Sequence, residues 1–440
     1  TGPTLFVMPR LYASEFRALG VSLADRTELH PVDPTHRLVF DDGSELSLTS
    51  NMTTMREQLE AIEPGSFDAL ERYMKAGAGH YRVVAEKMVD RDFRSPIDYL
   101  RIGTLALLAR GNPLANHYRG MSAYFDAPRL KSAFTFQDLY VGLSPFEAPA
   151  ILSLLSYTEL AHGVWYPMGG MYSIVETLVD LARDSGVEFM FDSPVTRIDT
   201  DSNVVRGLVM EDGTLIRADV VLANADLPYV YEQLLPPDPM AQSLSGKRFS
   251  CSAISFFWGL DRRYDALPAH TLFLPDDYRA NFEAIVQDHA LPTNPTVYVH
   301  APGRLDSAAA PPGQDTLTAI VPVGHLDGDR EQDWDELRDR AREAVFRRLR
   351  TLGLDDVPDH LKFEESRTPL TWATRHNLAK GATHGLSHTL TQMGYLRPRN
   401  RHRRYRNLYF AGASTHPGTG VPTAMSSGRL AARRIVAEVR

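Results

Sequence analysis

The sequence contains a single cysteine, Cys251, among 440 residues. An intramolecular disulfide and a zinc site built from several thiolates are therefore excluded. No uninterrupted apolar run reaches the roughly 18 residues that a membrane-spanning helix needs. The net charge is only −8, which argues against a dedicated nucleic-acid-binding protein. The 43% hydrophobic and 23% charged residues are typical of a globular protein, here long enough for two or more domains or one elaborate domain.

The most informative stretch lies near the carboxyl end, in residues 407–439. Leu408 to Phe410 form a short apolar run that suits a buried strand. A glycine-rich turn follows, and Pro422 then stands where a first-turn proline would begin a helix. The apolar residues of that helix recur on one face. Backbone N–H groups at such a helix start can approach an anionic or carbonyl-rich ligand, although glycine content alone fits an ordinary α/β turn equally well.

The residue string of this turn, GASTHPGTGVPTA, is too specific to be a chance match. It resembles the carboxy-terminal flavin signature of the phytoene desaturases, which are FAD enzymes of carotenoid formation, especially of the bacterial and fungal type. The resemblance implies that FAD lies beside these residues: Gly412, Ala413, Gly418, Thr419, Gly420, Val421 and Pro422. By the same resemblance, His416 is expected either beside the flavin ring or as a residue that shapes the turn.

A second string, VWYPMGGM in residues 164–171, resembles the WYPRGG of the same family, with Met168 in place of the arginine. The resemblance implies that Gly169 and Gly170 let a loop press against the flavin. The replacement of the arginine removes the basis for a charged contact there. Helical spacing of apolar residues predicts a helix over 172–185, with Gly186 at its end.

The opening string, TGPTLFVMPRLY, resembles the family segment that follows the first βαβ unit. That resemblance places Gly2 and Pro3 close to the flavin. It also places a βαβ unit with a GxGxxG turn, roughly 60 residues long, ahead of Thr1, and nothing in the chain replaces this unit. Gly77 and Gly79, in KAGAGH, lie in helical surroundings without a preceding strand and do not predict a nucleotide loop.

The central part resembles flavoproteins of the amine-oxidase-like layout. The residue that matches Val195 meets the adenine through its backbone in such proteins, and those that match Ala223 and Asn224 lie near the pyrophosphate. Residues 187–191 are expected to form a strand in this region.

Candidate acid–base residues come from the stretches that the resemblance places near the flavin or along a substrate tunnel. They are Lys131, Asp138 and Glu159, with Arg129 as a rival for the position of Lys131. Residues 134–150 match the family segment that lines the tunnel. The histidine spacing of His384 and His388 would suit a metal only on a helix, which the intervening glycine makes unfavourable, so no metal site is expected.

Two segments could touch a membrane. Residues 95–110 are rich in leucine and predict either a buried core helix or a helix lying in the bilayer interface. Residues 397–406 contain six arginines and predict either a solvated loop or a loop that holds anionic lipid head groups, with positions such as Arg397 set by the family pattern.

The sequence thus predicts an α/β flavoprotein of the amine-oxidase-like fold, with an α+β substrate lobe and an incomplete Rossmann-type FAD domain. The expected division is a discontinuous FAD-binding domain in 1–15, 165–245 and 395–440, a substrate domain in 16–55 and 246–394, and a helical, membrane-associated lobe in 56–164.

The function implied is FAD-dependent desaturation of phytoene or a related carotenoid by hydride transfer to the flavin. Cytoplasmic location with peripheral membrane association is expected, and an oligomer is left open. The alternatives are a truncated homologue that binds an apolar ligand or partner without flavin, and another carotenoid or amine oxidoreductase of the same fold.

Overall fold

A computed structural model describes residues 4–91 and 115–439. The strands, in chain order, are β1 Leu29–Val32, β2 His36–Phe40, β3 Glu45–Leu48, β4 Val164–Pro167, β5 Val195–Asp201, β6 Val204–Met210, β7 Leu215–Arg217, β8 Val221–Ala223, β9 Ser252–Leu260, β10 His270–Leu274, β11 Val297–His300, β12 Asp315–Val323, β13 Leu361–Arg367 and β14 Leu408–Phe410.

The α-helices, in chain order, are α1 Pro9–Ala18, α2 Met52–Ile62, α3 Ser66–Val83, α4 His117–Met121, α5 Pro128–Ala133, α6 Ser153–His162, α7 Tyr172–Asp184, α8 Leu227–Tyr229, α9 Pro239–Ser245, α10 Tyr278–Val286, α11 Trp334–Arg350, α12 Pro369–His376 and α13 Val421–Glu438. Gly2, Pro3 and the segment 95–110 lie outside the described residues.

A seven-stranded sheet, in the order β13-β9-β12-β11-β10-β2-β3, is the largest element of the fold. All its pairings are antiparallel except that of β2 with β10. Alternate residues of each strand face opposite sides. Phe273 therefore packs toward α11, whereas Leu272 and Leu274 join a large apolar cluster that contains residues of α2, α3 and α10.

Local signals explain where several elements begin. Asn51 caps α2 by accepting hydrogen bonds from the backbone N–H groups of Thr53 and Thr54, and Asp333 caps α11 in the same way. An Asp-Gly turn in residues 41–44 joins β2 to β3. Gly77 lies inside α3 against Tyr157 of α6, where a Cβ would sit 2.6 Å from the Cβ of Tyr157. The helical interpretation of KAGAGH is confirmed.

Three smaller sheets complete the fold: β1 with β4, β5-β6-β7, and the parallel pair β8 with β14. The strand predicted at residues 187–191 is wrong, because this segment pairs with no strand in the described part of the chain. Met190 and Phe191 are 65% and 69% exposed. β propensity alone does not make a strand where no neighbouring strand supplies hydrogen bonds. None of the helices within 4–91 and 115–439 has the length and apolar character to cross a bilayer.

Candidate active site

Three segments that are distant in the sequence meet in one apolar cluster. Phe6, near the beginning, pairs with Trp165 through a backbone hydrogen bond of 3.0 Å from the Trp165 N–H to the Phe6 carbonyl. Both pack with Ile174 of α7 and with Val421 at the start of α13. The strings recognised near the start, middle and end of the chain are therefore neighbours in the fold.

A buried ion pair joins the first and last of these segments. The carboxylate of Glu15 on α1 is 3% exposed and accepts hydrogen bonds from Ser426 Oγ at 2.6 Å and from Arg429 Nε at 2.7 Å. Removing one partner of a buried charge pair is costly. The position of α13 against α1 is thus fixed by charge as well as by apolar contact.

The carboxy-terminal loop, residues 411–420, connects β14 to α13 and meets the end of β8. The Ala411 N–H donates to the Ala223 carbonyl at 3.1 Å. Asn224 Nδ2 donates to the Ala411 carbonyl at 3.3 Å, and the Gly412 N–H donates to Ser427 Oγ at 3.1 Å. Ala223, Asn224 and Gly412 therefore lie next to one another. Val195 stands apart from these contacts, at the start of β5 in the adjoining sheet.

Gly418 is the tightest point of this loop. Its φ is +142°, and a Cβ at this position would lie 2.1 Å from Nε2 of His388. The next residue, Thr419, donates its N–H to the same nitrogen at 3.2 Å. Burial, with the nearby Arg397, lowers the pKa of His388 well below its usual value, which suits a neutral acceptor. His388, considered in the sequence only as a metal ligand, instead positions the flavin-signature loop.

Arg397 links the carboxy-terminal loop to residues 386–392 through hydrogen bonds. Its guanidinium is 2% exposed and donates to five backbone carbonyls, those of Leu386, Ser387, Gln392, Ala413 and Thr415. Burial lowers the pKa of Arg397 to about 9, against the opposing effect of Asp226. This arginine is a structural clamp and cannot contact lipid head groups. Arg401, farther along the same segment, forms an ion pair with Glu438 at 2.9 Å.

Asp226 fixes the other side of the loop. It accepts a hydrogen bond from Ser414 Oγ at 2.5 Å and one from the Ala379 N–H at 3.0 Å. Burial raises the pKa of Asp226 above its usual value. His416, also in the loop, is 6% exposed and donates its backbone N–H to the Pro398 carbonyl at 3.0 Å.

A carboxylate ties the double glycine after β4 to the connection between β11 and β12. Gly169 and Gly170 have φ of +82° and +86°, values that favour glycine. The Gly169 N–H donates to Asp306 Oδ2 at 3.0 Å, and Asp306 is 6% exposed. Nothing in the sequence near Asp306 indicates this role, since the two residues are 137 positions apart.

Glu159 and Asp138 lie in two separate buried clusters. Glu159 accepts hydrogen bonds from Thr35, His36 and Tyr140 at 2.9–3.0 Å. Burial acts to raise the pKa of Glu159, but the charge of His36 and these hydrogen bonds outweigh it, so the pKa is lowered. His36 was not identified from the sequence.

Asp138 has a different environment. Its oxygens lie 3.0 and 3.1 Å from His117 Nδ1, and His117 Nε2 lies 3.2 Å from the hydroxyl of Tyr73. Burial raises the pKa of Asp138 despite the opposing effect of His117. Lys131 is half-buried near the end of α5, and its rival Arg129 forms an ion pair with Asp42 at 2.6 Å. The structure therefore does not place the candidate bases in one cluster.

The residues around the loop fit a flavin. No side chain caps the start of α13, and Gly420, immediately before it, is exposed. An uncapped start of an 18-residue helix leaves N–H groups for a carbonyl-rich or anionic ligand. Trp165, beside this point, also borders a cavity of about 860 Å³ that α1 and residues 20–29 complete. In the same described ranges, no three His, Cys, Asp or Glu side chains are grouped as a metal site requires.

Comparison with known proteins agrees with this geometry. The sequence profile of the flavin-containing amine oxidoreductases matches residues 1–436. A phytoene desaturase of Fusarium fujikuroi is 39% identical, over 99% of this chain and 80% of that protein. A zeta-carotene-forming phytoene desaturase of Myxococcus xanthus is also 39% identical, over 99% of this chain and 84% of that protein. A 4,4'-diapophytoene desaturase of Staphylococcus haemolyticus is 31% identical, over 100% of this chain and 89% of that protein.

Solved structures agree on the fold. A putrescine oxidase with redesigned cofactor binding superposes with a TM-score of 0.61 at 12% identity, covering 99% of this chain and 87% of that one. Cyclohexylamine oxidase from Brevibacterium oxydans superposes with a TM-score of 0.53 at 14% identity, covering 100% of this chain and 87% of that one. At such identities these likenesses carry the fold alone, and they confirm the predicted amine-oxidase-like class.

The chain belongs to the flavin-containing amine oxidoreductase family. Within that family it is a member of the phytoene desaturase group, as the two glycine-rich strings predicted. The protein is therefore an FAD-dependent oxidoreductase.

Proposed function

We propose that this protein desaturates phytoene, or a related hydrocarbon carotenoid, and so extends its conjugated system. The observation that carries the proposal is the 39% identity to a phytoene desaturase over 99% of the chain. Supporting it, a large apolar cluster lies between the seven-stranded sheet and the helices.

FAD, when bound, supplies the oxidant that accepts a hydride from an unactivated C–H bond. The residues proposed to hold it are Gly2, Pro3, Gly169, Gly170, Val195, Ala223, Asn224, Gly412, Ala413, Gly418, Thr419, Gly420, Val421 and Pro422. The remaining work of the chain is to orient an apolar polyene, exclude water and accept a proton. Lys131, Asp138, Glu159 and His416 are the candidates for acid–base or polar contacts in that step.

The proposal includes an organisation of the chain. A discontinuous FAD-binding domain would comprise 1–15, 165–245 and 395–440, beside a substrate domain in 16–55 and 246–394 and a helical lobe in 56–164. Because a hydrocarbon carotenoid dissolves in lipid, we place the protein on the cytoplasmic surface of a membrane as a peripheral protein. An oligomer is compatible with this arrangement.

The test is expression in a host that accumulates phytoene, both as this chain and with an amino-terminal dinucleotide-binding segment added. Extracted pigment is expected to show the absorption maxima of a longer polyene, and the purified protein is expected to show the flavin band. A colourless extract with flavin bound would contradict the carotenoid substrate. Peroxide release with amines would indicate an amine oxidase, and absence of flavin in both forms would indicate a flavin-free binding protein.

A further inference from the structure

A buried array of ionisable side chains begins at Glu159, which is 1% exposed. Its Oε1 lies 3.0 Å from Nδ1 of His36 and 2.9 Å from the hydroxyl of Thr35. Its Oε2 accepts the O–H of Tyr140 at 3.0 Å. An ionised carboxylate only accepts hydrogen bonds, so Thr35 Oγ1, His36 Nδ1 and Tyr140 OH are the donors in these contacts. Thr35 Oγ1 also lies 3.2 Å from the Leu48 carbonyl, and the Tyr140 hydroxyl lies 3.3 Å from His36 Nε2.

The array continues toward the beginning of the chain. The ring of His36 lies 5.4 Å from that of His270, and His270 stacks on His300 at 4.7 Å. Nδ1 of His270 lies 2.7 Å from the hydroxyl of Tyr298, which donates to Thr4 Oγ1 at 3.0 Å. Burial lowers the pKa of His270 well below its usual value, and that of His300 to about 4. These two imidazoles are therefore neutral at physiological pH.

The array lies between the flavin-signature segments and the large apolar cluster. On one side, the ring of Tyr166, from the string before the double glycine, lies 6.4 Å from that of His300. On the other side, Phe136 of the apolar cluster lies 5.3 Å from His36 and 6.0 Å from Tyr140. His36 is completely buried, whereas Tyr140 is half-buried. Tyr140 is thus the member of the Glu159 group best placed to meet a molecule in the apolar region.

We propose that Tyr140 and Glu159 accept the proton that the substrate loses, with His36 as a positioning residue; this rests on the proposed function. FAD, held by the segments named above, would supply the two-electron oxidant that takes a hydride from the substrate. The adjacent C–H bond then breaks, and its electron pair becomes the second bond of the new C=C. The proton passes to the oxygen of Tyr140 while the Tyr140 O–H proton passes to Oε2 of Glu159. Glu159 ends the step as a neutral carboxylic acid, and Tyr140 is unchanged.

A carboxylate with a lowered pKa is a weak base, yet it suffices here. A carbon next to one that has lost hydride carries a strongly acidic C–H bond, so a strong base is not required. A carboxylate that stays ionised also stabilises positive charge developing nearby, and it does so most effectively where water is excluded. Three hydrogen-bond donors keep Glu159 in that ionised form.

The first test measures phytoene conversion by the FAD-loaded wild type, Glu159→Gln and Tyr140→Phe, with substrate supplied in lipid vesicles. Glu159→Gln is expected to lower kcat about 100-fold or more with little change in KM, and Tyr140→Phe is expected to lower kcat by less. Tyr231→Phe is the matched control, since Tyr231 is 6% exposed and packs with residues of β8 and β14, in an apolar cluster separate from that of Phe136. Wild-type rates in both Glu159→Gln and Tyr140→Phe would overturn the proposal.

The second test uses the protein without flavin and does not depend on turnover. In ¹⁵N NMR of the histidine rings, Nδ1 of His36 is expected to carry the hydrogen that is donated to Glu159, and its signal is expected to shift in Glu159→Gln but not in Tyr231→Phe. An unprotonated Nδ1, or one indifferent to Glu159, would overturn the positioning role. If wild type forms no coloured polyene, the proposed function fails even where the NMR result holds, so the two failures are distinguishable.

Discussion

Gly418→Ala is expected to disrupt the carboxy-terminal loop severely. The new Cβ would lie 2.1 Å from Nε2 of His388, so the loop or the imidazole must move. Forcing a side chain onto a positive φ costs about 1–3 kcal/mol, and overlap in a packed interior adds about 1–3 kcal/mol. We therefore expect a loss of about 2–6 kcal/mol in the free energy of unfolding, together with loss of the flavin band.

Two comparisons separate these contributions. Gly313 has φ of +76°, and a Cβ at this position would meet open space within 4 Å, so Gly313→Ala carries backbone strain without the overlap. His388→Ala in the Gly418→Ala background removes the clashing ring and is expected to recover part of the lost stability, apart from the Thr419 hydrogen bond. Urea unfolding measures all four proteins. A cost for Gly418→Ala no larger than that for Gly313→Ala would refute the reasoning.

Three further predictions concern stability. Arg397→Met removes the guanidinium that donates to five backbone carbonyls, most of them buried, and is expected to lower the free energy of unfolding by about 3 kcal/mol or more. A urea midpoint equal to that of wild type would show that Arg397 does not hold the loop. The pKa of Glu159 is lowered in the folded state, so its ionised form contributes stability that is lost as pH falls below about 4.3. Between about pH 6 and pH 3, the urea midpoint is expected to fall less steeply with decreasing pH in Glu159→Gln than in wild type. An equal decline in both proteins would show that ionised Glu159 does not contribute this stability. Phe191→Ser removes an exposed ring and is expected to change the free energy of unfolding by less than about 0.5 kcal/mol while reducing self-association in light scattering; a larger loss would show that the ring is packed.

The sequence located the backbone of the site better than its side chains. The turn around Gly418 and the double glycine at Gly169 carry local information, because a bare backbone is required at those positions themselves. His388 and Asp306 carry no such information, since each meets its loop across 31 and 137 positions respectively. Such partners follow only from tertiary packing. One weak signal pointed to the buried histidines: His36, His270 and His300 are each the first or last residue of a strand.

The strand expected at residues 187–191 shows that local sequence can also predict an element that does not form. Its residues favour β structure, yet pairing is a property of two segments, and the described chain supplies no neighbour for this one. By contrast, α7 is formed as predicted over Tyr172–Asp184, because helix hydrogen bonds are satisfied within the segment itself.

The two buried carboxylates explain why the sequence alone could not choose a base. Both Asp138 and Glu159 face a histidine, yet their pKa values move in opposite directions. Asp138 has His117 as its hydrogen-bonding side chain and burial dominates, whereas Glu159 has His36, Thr35 and Tyr140, and these donors dominate. Only the second arrangement keeps an anion in an apolar interior, where it can both stabilise positive charge and receive a proton. The number of donors converging from β2, residues 136–141 and their surroundings, and not the carboxylate itself, is what distinguishes Glu159.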